Sequence, residues 1–292
     1  MSNADDNLKS TISPEIEEEQ VVLVPEVNPF IDILKRMKSN TMVMTGFIVL
    51  AIVVLLTLLA PPLGNLDPEE LHIRERFTPP SAEYLFGSDN FGRDIFSRVI
   101  YGARMSLRIG LSVAITTTIL GTLIGLIAGY IKQTDNVIMR LMDALMAFPA
   151  ILLGIAITAA LLPSEMSVIL ALTIVYSPRT ARIVRGSVLS VKQNFFVESA
   201  MAAGAKTRRI MFRHILPNCI SPLIVQFSFI FAYAILAEAG LSFVGAGPPP
   251  PTPTWGNILS EGREFIVEAP WITIFPGLFI VVTVLGLNLL GD

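Results

Sequence analysis

The chain has 292 residues, 52% hydrophobic and 15% charged, with a formal net charge of −3 and a mean hydropathy of +0.64. Soluble domains carry about 25% charged residues, and here the apolar residues are gathered into long uncharged runs, which excludes a water-soluble globular domain. The single Cys219 excludes an intrachain disulfide, and two histidines without an HExxH or CxxC pattern argue against a metal site of those kinds.

Residues 1–34 carry eight carboxylates, one lysine and three prolines without apolar periodicity, the composition of a disordered acidic tail. Lys35, Arg36 and Lys38 then precede the uncharged run Met42–Ala60. A spanning helix needs about 20 residues, so residues 35–60 are read as a first transmembrane helix. A cleaved signal peptide is not supported, because a long acidic segment precedes the run and Pro61-Pro62 follows it. Basic residues ahead of the first span place that side in the cytoplasm.

Residues 61–105 form a polar, extracytoplasmic excursion rich in Pro and Gly. A second uncharged run, Ile109–Tyr130, contains Gly121, Gly125 and Gly129. Their four-residue spacing makes a small-residue stripe against which another helix packs closely. Further spans are expected at Val137–Leu162, from Met166 onward, at Cys219–Leu241 and at Trp271–Leu290. The fourth continues past Pro178 as a helix that leaves the bilayer.

The sum is an all-α integral membrane protein with six transmembrane helices, five of them in a core over 106–292, and both termini cytoplasmic. Loop charges test the orientation: residues 179–217 hold eight Lys or Arg and the last outer loop only Arg263. The exception is the 61–105 region, since six arginines lie between positions 74 and 108. Of these, Arg104 and Arg108 are expected to snorkel to the interface.

The loop 192–217 is the first candidate site. In "NFFVESAMAAGA", Glu198 sits in a helical first turn, where a carboxylate suits the dipole, and Gly204 suits a left-handed helix end. "KTRRIMFRHI" resumes as a basic helix, and Pro217 marks a boundary near the bilayer. Two short helices around a glycine bend, with small residues at Ser199, Ala200, Ala202 and Ala203, make a knob of little bulk for a groove on a partner protein. The alternative is a basic loop held by anionic headgroups. Arg140 and Asp143, at i and i+3 near the start of the third span, are expected to form a structural ion pair. "PPPPTPTWG" is expected to be a stiff, extended outer loop, with a cap folded back onto the bundle as the alternative. No Gly-Lys dipeptide occurs, so a Walker A loop is absent and any ATP must be bound by another chain.

Glu198-Ser199-Ala200, with Gly204 four residues on and Ile215-Leu216-Pro217 after a ten-residue gap, resembles the cytoplasmic "EAA" loop of ABC-importer permeases. Ser199 stands where that family most often has alanine. "FGSDNFGRDIFSRVIYGARMSL", "AGLSFVGAGPPPPTPTWGNILSEGR" and "PWITIFPGLFIVVTVLGLNLLGD" resemble segments of the dipeptide/oligopeptide/nickel branch, and the chain is similar to its smaller, C-type permease. The family's chains usually continue with charged residues beyond Gly291-Asp292.

The resemblance implies a type I ABC-importer permease fold with a coupling helix between the fourth and fifth spans. It implies a transport subunit without its own ATPase site. Implied partners are a second homologous permease, two ATPase subunits or domains that bind ATP and Mg, an extracytoplasmic substrate-binding protein and membrane lipid, in a bacterial or archaeal inner membrane. No cofactor, metal or nucleic acid is expected on this chain. Glu198–Gly204, with Leu216 and Pro217, would couple to the ATPase, while Glu238 and Trp255 would contact the path or the binding protein. Peptides are the expected substrate, with nickel or another small solute as the alternative. A different class, the ion-coupled secondary carrier, would need repeated broken helices and midplane carboxylates; Asp143 and Glu238 instead lie near span ends.

Overall fold

The computed structural model describes residues 40–59 and 67–291; the expected acidic tail, the cluster Lys35, Arg36 and Lys38, and Asp292 lie outside them. Helix α1 (Thr41–Leu58) is opened by Asn40, whose Oδ1 accepts the Met42 N–H at 3.0 Å. Helix α2 (Ile95–Tyr130) is opened by Asp94, which accepts the Ser97 N–H at 2.8 Å. At about 1.5 Å per residue, its 36 residues extend well past a hydrocarbon core of about 30 Å.

The second helix therefore begins at Ile95, not Ile109. The added turns contain Arg98, Arg104 and Arg108, and each has a protein partner, so charge does not end the helix. Arg98 is 1% exposed; its Nη1 donates to Asp89 Oδ2 at 2.7 Å and to Glu261 Oε2 at 2.8 Å. Arg93 donates to the same two oxygens at 2.6 and 2.5 Å, so two guanidinium groups and two carboxylates balance. Arg104 donates to the Thr57 carbonyl at 2.9 Å, at the negative end of α1. Arg108 pairs with Glu165 at 2.6 Å. Four of the six arginines that broke the charge asymmetry thus have partners within the fold.

The third expected span is broken. Helices α3 (Lys132–Met146) and α4 (Ala150–Leu161) meet at 92°. Pro149 lacks an N–H and disfavours helical geometry at Phe148, so the helix stops and restarts there. By contrast α5 (Glu165–Val191) runs through buried Pro178 without a break, as expected. After α6 (Phe195–Ala202), a turn at Thr207–Arg209, a π-helical segment Ile210–Ile215 and a 3-10 segment Leu216–Cys219 lead directly into α7 (Ile220–Phe243). Pro217 is not a boundary: it occupies the first turn of the 3-10 segment, where a missing N–H is tolerated. Helices α8 (Trp255–Gly262) and α9 (Trp271–Gly291) complete the described chain.

Among the described residues, five helical runs are long and apolar enough to cross a membrane, or six if the bent pair α3–α4 is counted as one span. Helix α2 is the mast. Buried clusters stack along it around Ile95 and Val99, around Ile109 and Val113, and around Leu126. The glycine stripe seats α5: a Cβ added at Gly121 would lie 2.5 Å from Thr180 Cβ, and at Gly125 2.7 Å from Val184 Cβ. Such close approach is how spans gain packing contacts without a hydrophobic drive between them.

The outer segment "PPPPTPTWG" is folded back rather than extended. Asn257 Nδ2 donates to the carbonyls of Pro248 at 2.9 Å and Thr252 at 3.4 Å, which pulls the proline turns onto α8. Ahead of α2, the Tyr84 hydroxyl donates to Glu75; burial, then the Glu75 carboxylate, push its pKa above the usual tyrosine range.

Candidate functional site

The loop 192–217 forms a projecting knob. Helix α6 is anchored by Val197, which is fully buried in a cluster that includes Leu126, Val184, Val188, Ile210 and Ile215. Its C-terminus is a Schellman turn: the Gly204 N–H donates to the Met201 carbonyl at 2.9 Å and the Ala205 N–H to the Ala200 carbonyl at 3.0 Å. Gly204 has φ +75°, the left-handed conformation expected of it.

Glu198, Ser199, Ala202, Ala203 and Gly204 are exposed and Ala200 half-buried. The Glu198 carboxylate has no hydrogen-bonding partner among the described residues. Leu216 and Pro217 do not lie on this face. Leu216 packs half-buried against the anchoring cluster, and exposed Pro217 sits in the turn below.

Nor does the knob lack bulk. Phe195 is 86% exposed and Phe196, Met201 and Phe212 are also exposed, beside exposed Lys206, Arg208, Arg209 and Arg213. Two adjacent phenylalanines in a polar loop were the signal for an apolar contact surface.

The other candidates are rearranged. Asp143 bonds Arg182 at 2.5 Å, while Arg140 is exposed and makes no ion pair with it. Helix α3 packs against α5, and Arg185 takes Asp135 through Nε and Nη2 at 2.5 and 2.6 Å. Both acidic groups of α3 are therefore used across the helix pair rather than along α3. The Arg182–Asp143 pair is half-exposed and worth little stability.

Glu238 and Trp255, expected as contacts to the path or a partner, are both fully buried. Glu238 accepts from Ser106 Oγ at 3.0 Å and Ser242 Oγ at 2.8 Å. Ser106 Oγ in turn accepts the Trp255 N–H at 3.2 Å, and the Trp255 indole donates to the Val99 carbonyl at 3.0 Å. Small residues permit this: a Cβ on Gly256 would lie 2.6 Å from Ser242 Cβ, so α8 settles onto α7 and seals the carboxylate in. Glu238 and Trp255 join α2, α7 and α8.

Glu238→Leu is expected to destabilise the detergent-purified protein by about 2–4 kcal/mol, since it strands buried hydroxyls, whereas Glu238→Gln keeps an acceptor and costs about 1 kcal/mol or less. Thermal unfolding of the two variants checks this, and equal losses would mean that the charge, not the hydrogen bonding, holds the joint.

The family model described as "Binding-protein-dependent transport system inner membrane component" matches residues 121–292, and that described as "N-terminal TM domain of oligopeptide transport permease C" matches 28–80. A putative peptide transport system permease protein of Brucella abortus is 51% identical over 265 residues, covering 91% of this chain and 90% of that protein. The dipeptide transport system permease protein of Alkalihalophilus pseudofirmus is 44% identical over 267 residues, covering 91% and 88%. The glutathione transport system permease protein of Escherichia coli O6:K15:H31 is 41% identical over 266 residues, covering 90% and 88%. Among solved structures, the MetNI methionine ABC transporter in inward-facing conformations superposes with a TM-score of 0.57 at 17% identity, over 67% of this chain and 93% of that one; at that identity the likeness is one of fold.

Proposed function

The chain belongs to the binding-protein-dependent transport system inner membrane components, as a multi-pass permease subunit of an ABC importer, and from that premise we propose that it forms half of the path for di- or oligopeptides handed over by a substrate-binding protein. The names of its relatives support the peptide assignment. A permease subunit has no ATPase site of its own. ATP and Mg belong to two partner ATPase subunits, and a second homologous permease supplies the other half of the path. The knob side faces the cytoplasm of a bacterial or archaeal cell, with both termini on that side.

One observation carries the coupling role. The knob is exposed at its tip, yet continuous with two core helices. Only Lys192, Gln193 and Asn194 separate it from α5, and the chain is helical from Thr207 to the end of α7. A groove on an ATPase that grips Phe195, Glu198, Ala202 and Gly204 therefore has direct purchase on α5 and α7. ATP-driven closure of the ATPases moves the knob, and the helices switch the path between inward- and outward-facing states. Such a switch needs the ATPase to bind the knob differently in the two states, since equal affinity shifts nothing.

The test is Ala202→Cys in a Cys219→Ala background, co-expressed with the partner permease and the ATPase subunits. A cross-link to an ATPase subunit that changes with nucleotide is expected. A complex that still transports but yields no adduct would remove the docking assignment.

A further inference from the structure

We propose that the cavity at the α3–α4 bend holds the carboxylate of the transported solute, with Arg179 as its counter-charge; this rests on the permease reading above and names the chemistry of its path. The cavity has a volume of about 250 Å³ and is lined by Met146, Phe148, Leu153, Val175, Tyr176 and Arg179, among others. Pockets that enclose a whole ligand run to about 300–1,000 Å³, so this one suits a terminal group.

Its depth is set by α5. Arg179 lies 14 residues beyond Glu165, about 21 Å along the helix and inside a hydrocarbon thickness of about 30 Å, which moves it from the cytoplasmic loop of the charge count into the span. An arginine there is costly and marks function unless it is paired. The next two arginines along α5 are paired: Arg182 with Asp143 and Arg185 with Asp135.

Arg179 has no carboxylate partner among the described residues. It stands over the Tyr233 ring at 5.8 Å from the centroid. The hydroxyls of Tyr176 and Tyr233 likewise make no hydrogen bond to a described residue. The cavity also opens on Ala150, the first residue of α4, whose N-terminus has no side-chain cap. Irregular backbone at membrane depth persists where it lines a cavity, and in transporters broken helices mark the solute site.

A guanidinium beside the Tyr176 hydroxyl in largely apolar walls matches a planar monoanion. Every peptide has one terminal carboxylate whatever its sequence, so one fixed contact serves a sequence-tolerant path. A lipid phosphate offers similar anionic chemistry, and the experiment separates the two.

The importer, with Leu153→Cys in the Cys219→Ala chain, is reconstituted into vesicles. Mixed-disulfide formation, which releases methanesulfinate, is timed with an anionic sulfonatoethyl and a cationic trimethylammonioethyl methanethiosulfonate, each rate being taken relative to that reagent's rate with a free thiol. The anionic reagent is expected to react about tenfold faster, with the preference lost in Arg179→Gln and kept in Arg179→Lys. A free-acid dipeptide should protect the cysteine and its C-terminal amide should not. The preference should be the same in phosphatidylcholine vesicles and in vesicles containing phosphatidylglycerol.

A preference untouched by Arg179→Gln overturns the site. A preference that disappears when phosphatidylglycerol is added assigns Arg179 to lipid phosphate, and near-equal rates in the unsubstituted Arg179 protein assign it to a carboxylate of another subunit. Failure of the reconstituted importer to take up any peptide would count against the peptide reading alone, because the charge preference is measured without transport.

Discussion

Replacing Gly204 by proline is expected to abolish ATP-driven uptake while the chain still inserts and the bundle still folds. Gly204 has φ +75°, and its N–H closes the turn on Met201 at 2.9 Å. Proline fixes φ near −65° and has no N–H, so it removes both features, at about 3 kcal/mol or more of local strain. The effect is confined to the knob: nothing lies within 4 Å of where a Cβ on Gly204 would point, so no neighbouring helix is displaced.

That open space separates backbone from steric causes. Gly204→Asn tolerates a left-handed conformation and should transport near the native rate. Gly204→Ala should lose about 1 kcal/mol of turn stability and only part of the activity. The measurement is peptide uptake into vesicles, normalised to the amount of assembled complex. Native uptake by the proline variant would withdraw the coupling role, and failed insertion would make Gly204 a folding residue instead.

The second large effect is expected at the opposite end of α2. Arg98→Leu removes the 1%-exposed centre of the Asp89–Arg93–Arg98–Glu261 network and should cost about 3–5 kcal/mol, the usual result of leaving a buried charge without its partner. Glu261 then retains only Arg93, and the link between the segment before α2 and α8 is weakened. Adding Glu261→Leu restores the charge balance, because Arg93 still pairs with Asp89 at 2.6 Å. The double variant should recover most of the loss. Thermal unfolding of the purified subunit measures both, and a single-variant loss under about 1 kcal/mol would show that water reaches the network.

What the sequence determined by itself was what short-range forces decide. Predominantly apolar runs located the expected spans, although Arg140 and Asp143 fall within the third and the fourth is uncharged only from Met166 to Pro178. Three glycines at four-residue spacing marked the face of α2 that α5 covers, and Gly204 marked the left-handed end of α6, because only its backbone adopts that φ without strain. The resemblance around Glu198–Gly204 located the knob and the family.

Tertiary structure decided where each polar group ends up. Pro149 carried a local signal for the break between α3 and α4, and so did the change there from an amphipathic helix with four charged residues to an uncharged, uniformly apolar one; what neither signal gave was the angle at which the two helices meet. Arg140 and Asp143 were correctly placed on one helix, yet Asp143 is taken by Arg182 because α5 packs alongside. Glu238 and Trp255 looked exposed, being next to an outer loop, and are buried because α8 folds back onto α7 over Gly256 and Ser242. Arg98 sits 163 residues from Glu261 in the chain, a separation at which no local pattern carries information. Hydropathy and backbone conformation act over a few residues, whereas the partner of a charge is chosen by the helices that packing brings beside it.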